Sequence, residues 1–399
     1  MENEENELSR PCVGLDVHRN SITATYLDPR GSSKRTWTFP TTRSALAAMS
    51  KELDKKVPVV LEASTAGKAV AEVLKEAGHE LHMAAPAKVA LIAKADVKTD
   101  ERDSATLAHL YQAGFLPECY IPPPEIDRMR QMVRQRQDLG YKVTVVKNQV
   151  HSVVTRNLLD AEMNRYTDWF GVGGIRAMAR LPLPDAHRAM LGRCLRQLRM
   201  LAEQEEELQR ELARIAVDRE DVRLLMTIPG IDYYSAMAIV AEIGEVERFP
   251  NKRNLASYAG LVPRADNSGE KVSQHRGVKG GDRLLKRFLC LAVRGIVRTQ
   301  QESTIGRFYE KKAKQIGAAK AQVAAARKLS AVIWHMLTFQ HPYTEQDGEL
   351  SDRKAQNVER VARRPSMAMS AAEVEFEAEQ LLAKADVLVR MGEEASDNG

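Results

Sequence analysis

The chain has 399 residues, enough for two or three domains, of which 44% are hydrophobic, 28% charged and 5% aromatic. It contains no apolar run of about 18 residues, so no membrane-spanning helix is expected. Net charge is +5. From Thr344 onward, however, 13 acidic residues face 7 basic ones, a net −6 that leaves +11 on the rest. A basic body with an acidic tail points to an anionic partner, of which nucleic acid is the commonest.

The start, MENEENELSR, reads as disordered over residues 1–10 and as neither a secretory nor a transit segment. Cys12, Cys119, Cys194 and Cys290 form no CxxC pair, which argues against structural zinc or a disulfide framework and fits a reducing cytoplasm. Residues 11–115 alternate strand and helix. CVGLDVH, SITATYL and KRTWTF read as strands, the last two split by a turn at Pro29–Gly31. SALAAMSKEL is helical, VPVVLEAS a buried strand, AGKAVAEVLKEAG a helix, HELHMAA a strand and KVALIAKA a helix. This is an α/β layout.

LPECYIPPP is a linker, since three prolines block helix. The region 116–220 then carries two long amphipathic helices. The first has apolar positions from Met129 to Val153 and a basic face with Arg128 and Arg134. The second spans about Ala186 to Ala216. They read as an antiparallel coiled-coil pair, serving dimerisation, nucleic-acid docking, or both. Residues 221–343 open with LLMTIPGIDYYSAMAIVAEIG, a helix-hairpin-helix pattern whose Gly230 turn would aim N–H groups at a phosphate. A polar loop follows, then a basic amphipathic helix from Arg283. Arg264, Lys271, Arg276, Lys279 and Arg283 are candidate nucleic-acid contacts here. Residues 344–399 are expected to form a loosely attached acidic tail.

Four carboxylates carry the chemistry. Asp16 and Glu62 end apolar strands, where α/β sheets place reactive groups. Asp100 and Asp103, in KTDERD, share one face at the start of a helix. Each alone reads as a cap or a solvated end. Four acids converging from two strands and a helix would repel unless cations sat among them, and oxygen ligands favour Mg2+, with Mn2+ as substitute.

The order GLDVH, LEAS and KTDERD resembles the RuvC-like DEDD domain of insertion-sequence transposases. TIPGI, AEIG, LASYAGLVPR, NSGEK, GGDRLLKRFL and ARKLSAVIWHML resemble the second domain of the same family, the bridge-RNA-guided recombinases, which also includes Piv-like DNA invertases. The resemblance covers about residues 11–343. It implies an RNase H-like (RuvC-like) α/β N-terminal domain, a helical insert and a mainly α C-terminal domain. It also implies Mg2+ on Asp16, Glu62, Asp100 and Asp103, and a serine nucleophile that forms a phosphoserine link to DNA. The matching position is Ser268; on chemistry alone Ser273 is a rival, and His275 and Arg276 lie nearby. Donor and target DNA, a noncoding guide RNA and a homodimer or homotetramer would be the partners, in a bacterial cytoplasm at the nucleoid. Two departures stand out: DSATLA, where the family more often has Ala after the second Asp, and SGE, where SGG is commoner. The alternatives are a structure-selective nuclease that hydrolyses branched DNA, a site-specific invertase, and a nucleic-acid-binding scaffold without chemistry.

Overall fold

A computed structural model of the chain describes residues 10–31, 34–92, 99–262, 267–268, 271–272, 280–365 and 372–380. The chain divides into two compact units, Met1–Ile121 and Pro122–Gly399.

The first unit is built on a five-stranded sheet. β1 (Cys12–Val17), β2 (Ser21–Leu27) and β3 (Lys34–Pro40) form an antiparallel meander. There follow α1 (Arg43–Glu52), β4 (Val59–Glu62), α2 (Thr65–Glu76), β5 (Leu81–Ala84), α3 (Pro86–Ile92) and α4 (Asp100–Gln112). The strand order is β3-β2-β1-β4-β5, with β4 parallel to β1 and β5 parallel to β4. This mixed sheet with flanking helices agrees with the α/β expectation.

Alternation along β1 gives the sheet two different faces. Val13 and Leu15 join Ile22, Ala24, Val59 and Leu61 in a core closed by Leu46 and Met49 of α1 and Val70 and Leu74 of α2. Cys12, Gly14 and Asp16 take the opposite face, where α4 lies. Gly14 sets how close α4 comes: a Cβ there would sit 2.0 Å from the Ser104 carbonyl oxygen and 3.0 Å from the Ala108 nitrogen. Side-chain bonds then fix the helix. Ser104 Oγ is 2.7 Å from Thr25 Oγ1 on β2, and Gln112 Nε2 donates to the Asp28 carbonyl at 2.7 Å.

The second unit is mainly helical. It comprises α5 (Pro124–Arg156), α6 (Asp160–Met163), α7 (Val172–Met178), α8 (Asp185–Val217), α9 (Glu220–Met226), α10 (Tyr233–Ile243), a 3-10 turn at Val246–Arg248 and α11 (Lys252–Tyr258). After these come β6 (Asn267–Ser268), β7 (Lys271–Val272), α12 (Arg283–Thr299), α13 (Thr304–Ile316), α14 (Ala318–Phe339) and α15 (Gly348–Ala362). α5 and α8 run antiparallel. Met129 to Leu139 share a core with Leu208 to Ala216, whereas Val146 to Val154 share a separate one with Leu191 and Cys194. The larger core also takes in α9, α10, α12 and α14. Asp232 and Asp282 cap α10 and α12 by accepting from Ser235 N and Leu285 N. Each such cap stabilises its helix by about 1 kcal/mol.

The chain from 344 differs from its expected loose attachment. Its first part is held by specific bonds. Thr304 N donates to both Glu345 carboxylate oxygens, and Lys354 Nζ donates to the carbonyls of Met226 and Ile228, each at 2.8 Å. Arg214 donates to the carbonyls of Ala362 and Arg364, and Val358 is buried. Net acidity concealed this, because the anchoring groups are one buried valine and a few individually placed charges. Among the described residues, no helix is long and apolar enough to cross a membrane.

Candidate metal centre and nucleic-acid surface

β1 and β4 are parallel neighbours with Leu15 opposite Leu61, so Asp16 and Glu62 follow at matching positions on adjacent strand ends. Alternation puts both on the face that α4 covers. Ser64, two residues after Glu62, is the N-cap of α2 and its N–H is bonded to the Glu62 carbonyl at 2.9 Å. The N-cap of α4 is Thr99, whose hydroxyl accepts from Arg102 N. Asp100 and Asp103 are therefore first-turn residues whose carboxylates are not the cap.

Asp16 and Asp100 come together around a residue that sequence reasoning missed. His18 Nε2 lies 3.1 Å from Asp16 Oδ2 and 3.3 Å from Asp100 Oδ1. One ligand atom from each of the three lies within 4.8 Å of the others. Burial pushes the Asp16 carboxyl above its ordinary range. His18 opposes that, and Asp100 and Asp103 raise it further. The His18 imidazole is raised chiefly by Asp16. Among the described residues the site is thus short of positive charge, with one half-exposed histidine against three neighbouring acids.

The donor set fits a divalent cation. Carboxylate oxygens suit Mg2+ or Mn2+, and an imidazole nitrogen is a softer donor that transition ions accept. Asp-x-His at a strand end places two donors two residues apart on one side, but that Asp100 meets His18 is recorded by no local pattern. Gly14 and Ser104 were also missed as positioning residues. Ser104, the departure in DSATLA, is fully buried and bonded to Thr25, which in turn bonds Thr36 at 3.1 Å.

The other predicted residues lie in the second unit. Ser268 pairs in register with Lys271 in the β6–β7 hairpin. Arg264, Ser273, His275, Arg276 and Lys279 lie outside the described residues. Gly230 has φ +82°, and a Cβ there would meet Gly295 Cα of α12 at 2.7 Å, so this glycine seats the α9–α10 turn directly on α12. Arg128 and Arg283 are exposed. Arg134 makes a bidentate pair with Glu242, Nε to Oε1 at 2.9 Å and Nη2 to Oε2 at 2.8 Å. Glu242 is fully buried. Burial raises its carboxyl and Arg134 opposes this, with Arg130 Nε 3.8 Å away.

Comparison with known proteins gives two family matches. Residues 13–157 match the DEDD transposase family of IS110 elements, and residues 222–310 match the family described as transposase IS116/IS110/IS902. The chain is 25% identical over 338 residues to the transposase for insertion sequence element IS1328 of Yersinia enterocolitica, covering 82% of this chain and 96% of that one. It is 27% identical over 315 residues to a probable family 20 transposase of Pseudomonas aeruginosa, covering 74% and 89%. The transposase for IS1111A of Coxiella burnetii is 33% identical over 135 residues, which span 33% of this chain and 37% of that relative.

Proposed function

From the premise that this chain belongs to the IS110/IS116 family of insertion-sequence transposases, we propose that it cuts and rejoins DNA strands by a cation-dependent reaction with Ser268 as nucleophile. The observation that carries the cation site is the convergence of Asp16, Asp100 and His18, with Glu62 on the neighbouring strand end. A divalent ion held there would offset charge on the phosphate and favour deprotonation of the attacking hydroxyl. Asp16, Glu62, Asp100 and Asp103 would hold it, and His18 would serve as a further ligand or as the counter-charge in its absence.

The serine assignment rests on the likeness of NSGEK to the family's serine loop. In the proposed step the Ser268 hydroxyl loses its proton and bonds to a DNA phosphorus as the bond to the leaving sugar oxygen breaks, that oxygen taking up a proton. One phosphodiester replaces another, so a sugar hydroxyl of a second strand reverses the step without ATP. Donor and target DNA, a noncoding guide RNA and a second copy of the chain complete the proposed reaction, and each is part of the expectation that the family likeness raises.

The test is strand exchange with donor DNA, target DNA and the element's own RNA, followed by denaturing gels. A protein–DNA adduct that Ser268→Ala abolishes and Ser273→Ala retains is the expected result. Free 5′-phosphate ends with no adduct would replace the serine reaction by hydrolysis.

A further inference from the structure

α12 presents one exposed stripe. Arg283, Arg287, Leu291, Arg294 and Arg298 follow at spacings of four, four, three and four residues, which puts all five on one helical face about 6 Å apart. All five are exposed, and α12 carries no acidic residue. Among the described residues, none of the four arginines takes part in an ion pair within 4.0 Å.

Beside the middle of this stripe lies a recess of about 440 Å3 between α5, α10 and α12. That falls within the roughly 300–1,000 Å3 of small-ligand pockets. Three of its lining side chains are aromatic. Tyr234 and Phe288 meet edge to face at 5.4 Å, and Tyr141 stands at the rim with 66% of its surface exposed. Gly140 leaves a notch in α5, and Arg287 and Leu291 belong to both the stripe and the recess. Arg136, stacked 5.0 Å over the Tyr234 ring, is already paired with Glu205. Arg287 is thus the cation of the recess that remains for a ligand.

We infer that this face binds single-stranded DNA, the arginines of α12 following the phosphates and the recess taking one unpaired base against Tyr141. A base in a duplex stack cannot enter a recess between helices, whereas an unpaired base can enter and stack on an aromatic side chain whatever its identity. The commitment to DNA rests on the transposase reading, in which DNA strands part before exchange.

The test is fluorescence anisotropy with the full chain in EDTA, which reads binding without cleavage. The probes are a labelled 20-nucleotide DNA strand, its duplex and the RNA of the same sequence. Tyr141→Ala is expected to weaken single-strand binding about tenfold with an unchanged salt slope, and duplex binding less than twofold. Arg287→Gln is expected to weaken it about as much and to lower the salt slope by about 0.7. Equal losses on strand and duplex, no loss with either variant, or tenfold tighter binding of the RNA would each overturn the inference. Failure of cleavage in every cation, with this binding pattern intact, would overturn the catalytic reading instead.

Discussion

Two acids in this chain meet opposite fates. Glu242, in the second unit, is fully buried and is clamped by two nitrogens of Arg134, with Arg130 close by. Asp16, in the first, is half-buried beside two further aspartates and, among the described residues, has His18 against it. Both carboxyls are raised by burial. The difference lies in what the protein supplies to offset the charge. A buried acid given its own arginines holds a fold together. One left among other acids marks where a cation from outside belongs.

Substitutions separate the two. Asp16→Ala or Asp100→Ala should lower DNA strand cleavage at least about 10³-fold while leaving the unfolding midpoint in cation-free buffer unchanged or higher, because like-charge repulsion is relieved. Glu242→Gln should do the reverse. It breaks the bidentate pair with Arg134 at a fully buried carboxyl and should destabilise by about 3 kcal/mol in urea titration, with activity per folded molecule within a few-fold of the parent. If Asp16→Ala proves as destabilising as Glu242→Gln, the contrast between the two acids collapses.

Gly14→Ala sharpens the contrast from the packing side. Its Cβ would stand 2.0 Å from the Ser104 carbonyl, so α4 must move away from the sheet, carrying Asp100 and Asp103 with it. About 2–3 kcal/mol of stability should be lost, and cleavage should fall about 100-fold beyond what the folded fraction explains. Cleavage rates normalised to the circular-dichroism signal read this directly. Normal cleavage by a folded Gly14→Ala chain would mean that the seating of α4 does not set the site.

The smallest effect concerns a buried histidine of the first unit. His79 Nε2 meets Lys55 Nζ and Ser50 Oγ, both at 3.0 Å. Burial, and then Lys55, lower its imidazole below the ordinary 6.5. The unfolded chain therefore takes up a proton more readily than the folded one. The stability from neutral His79 is complete above about pH 6.5 and is lost as pH falls through its lowered folded value. Thermal unfolding from pH 7.5 to 5 should show that loss, and His79→Gln should flatten the curve. A curve of unchanged steepness in the variant would assign the acid sensitivity elsewhere.

The carboxylates were legible in the sequence because strand ends and a helix start are local features. CVGLDV and VVLE announce strands by β-branched and apolar runs, and KTDERD announces a helix start by its acids. Three things were not legible. His18 joins the site only because a tight turn after β1 holds it beside Asp100, which is 82 positions away. Gly14 matters only because α4 crosses it. Arg134 reads as a nucleic-acid contact until Glu242, 108 residues further on, is seen to occupy it. Such pairings depend on which distant elements meet, and periodicity does not record that. α15 was hidden for the related reason that its anchors, Lys354 and Val358, are single residues in a charged stretch.

The most direct measurement is DNA strand cleavage as Mn2+ is titrated against the parent chain, Asp16→Ala and Glu242→Gln. Saturable, cation-dependent cleavage by the parent and by folded Glu242→Gln, with none by Asp16→Ala at any concentration, is the predicted result. Cleavage by Asp16→Ala with the parent's Mn2+ dependence would contradict the assignment of the cation site to this cluster.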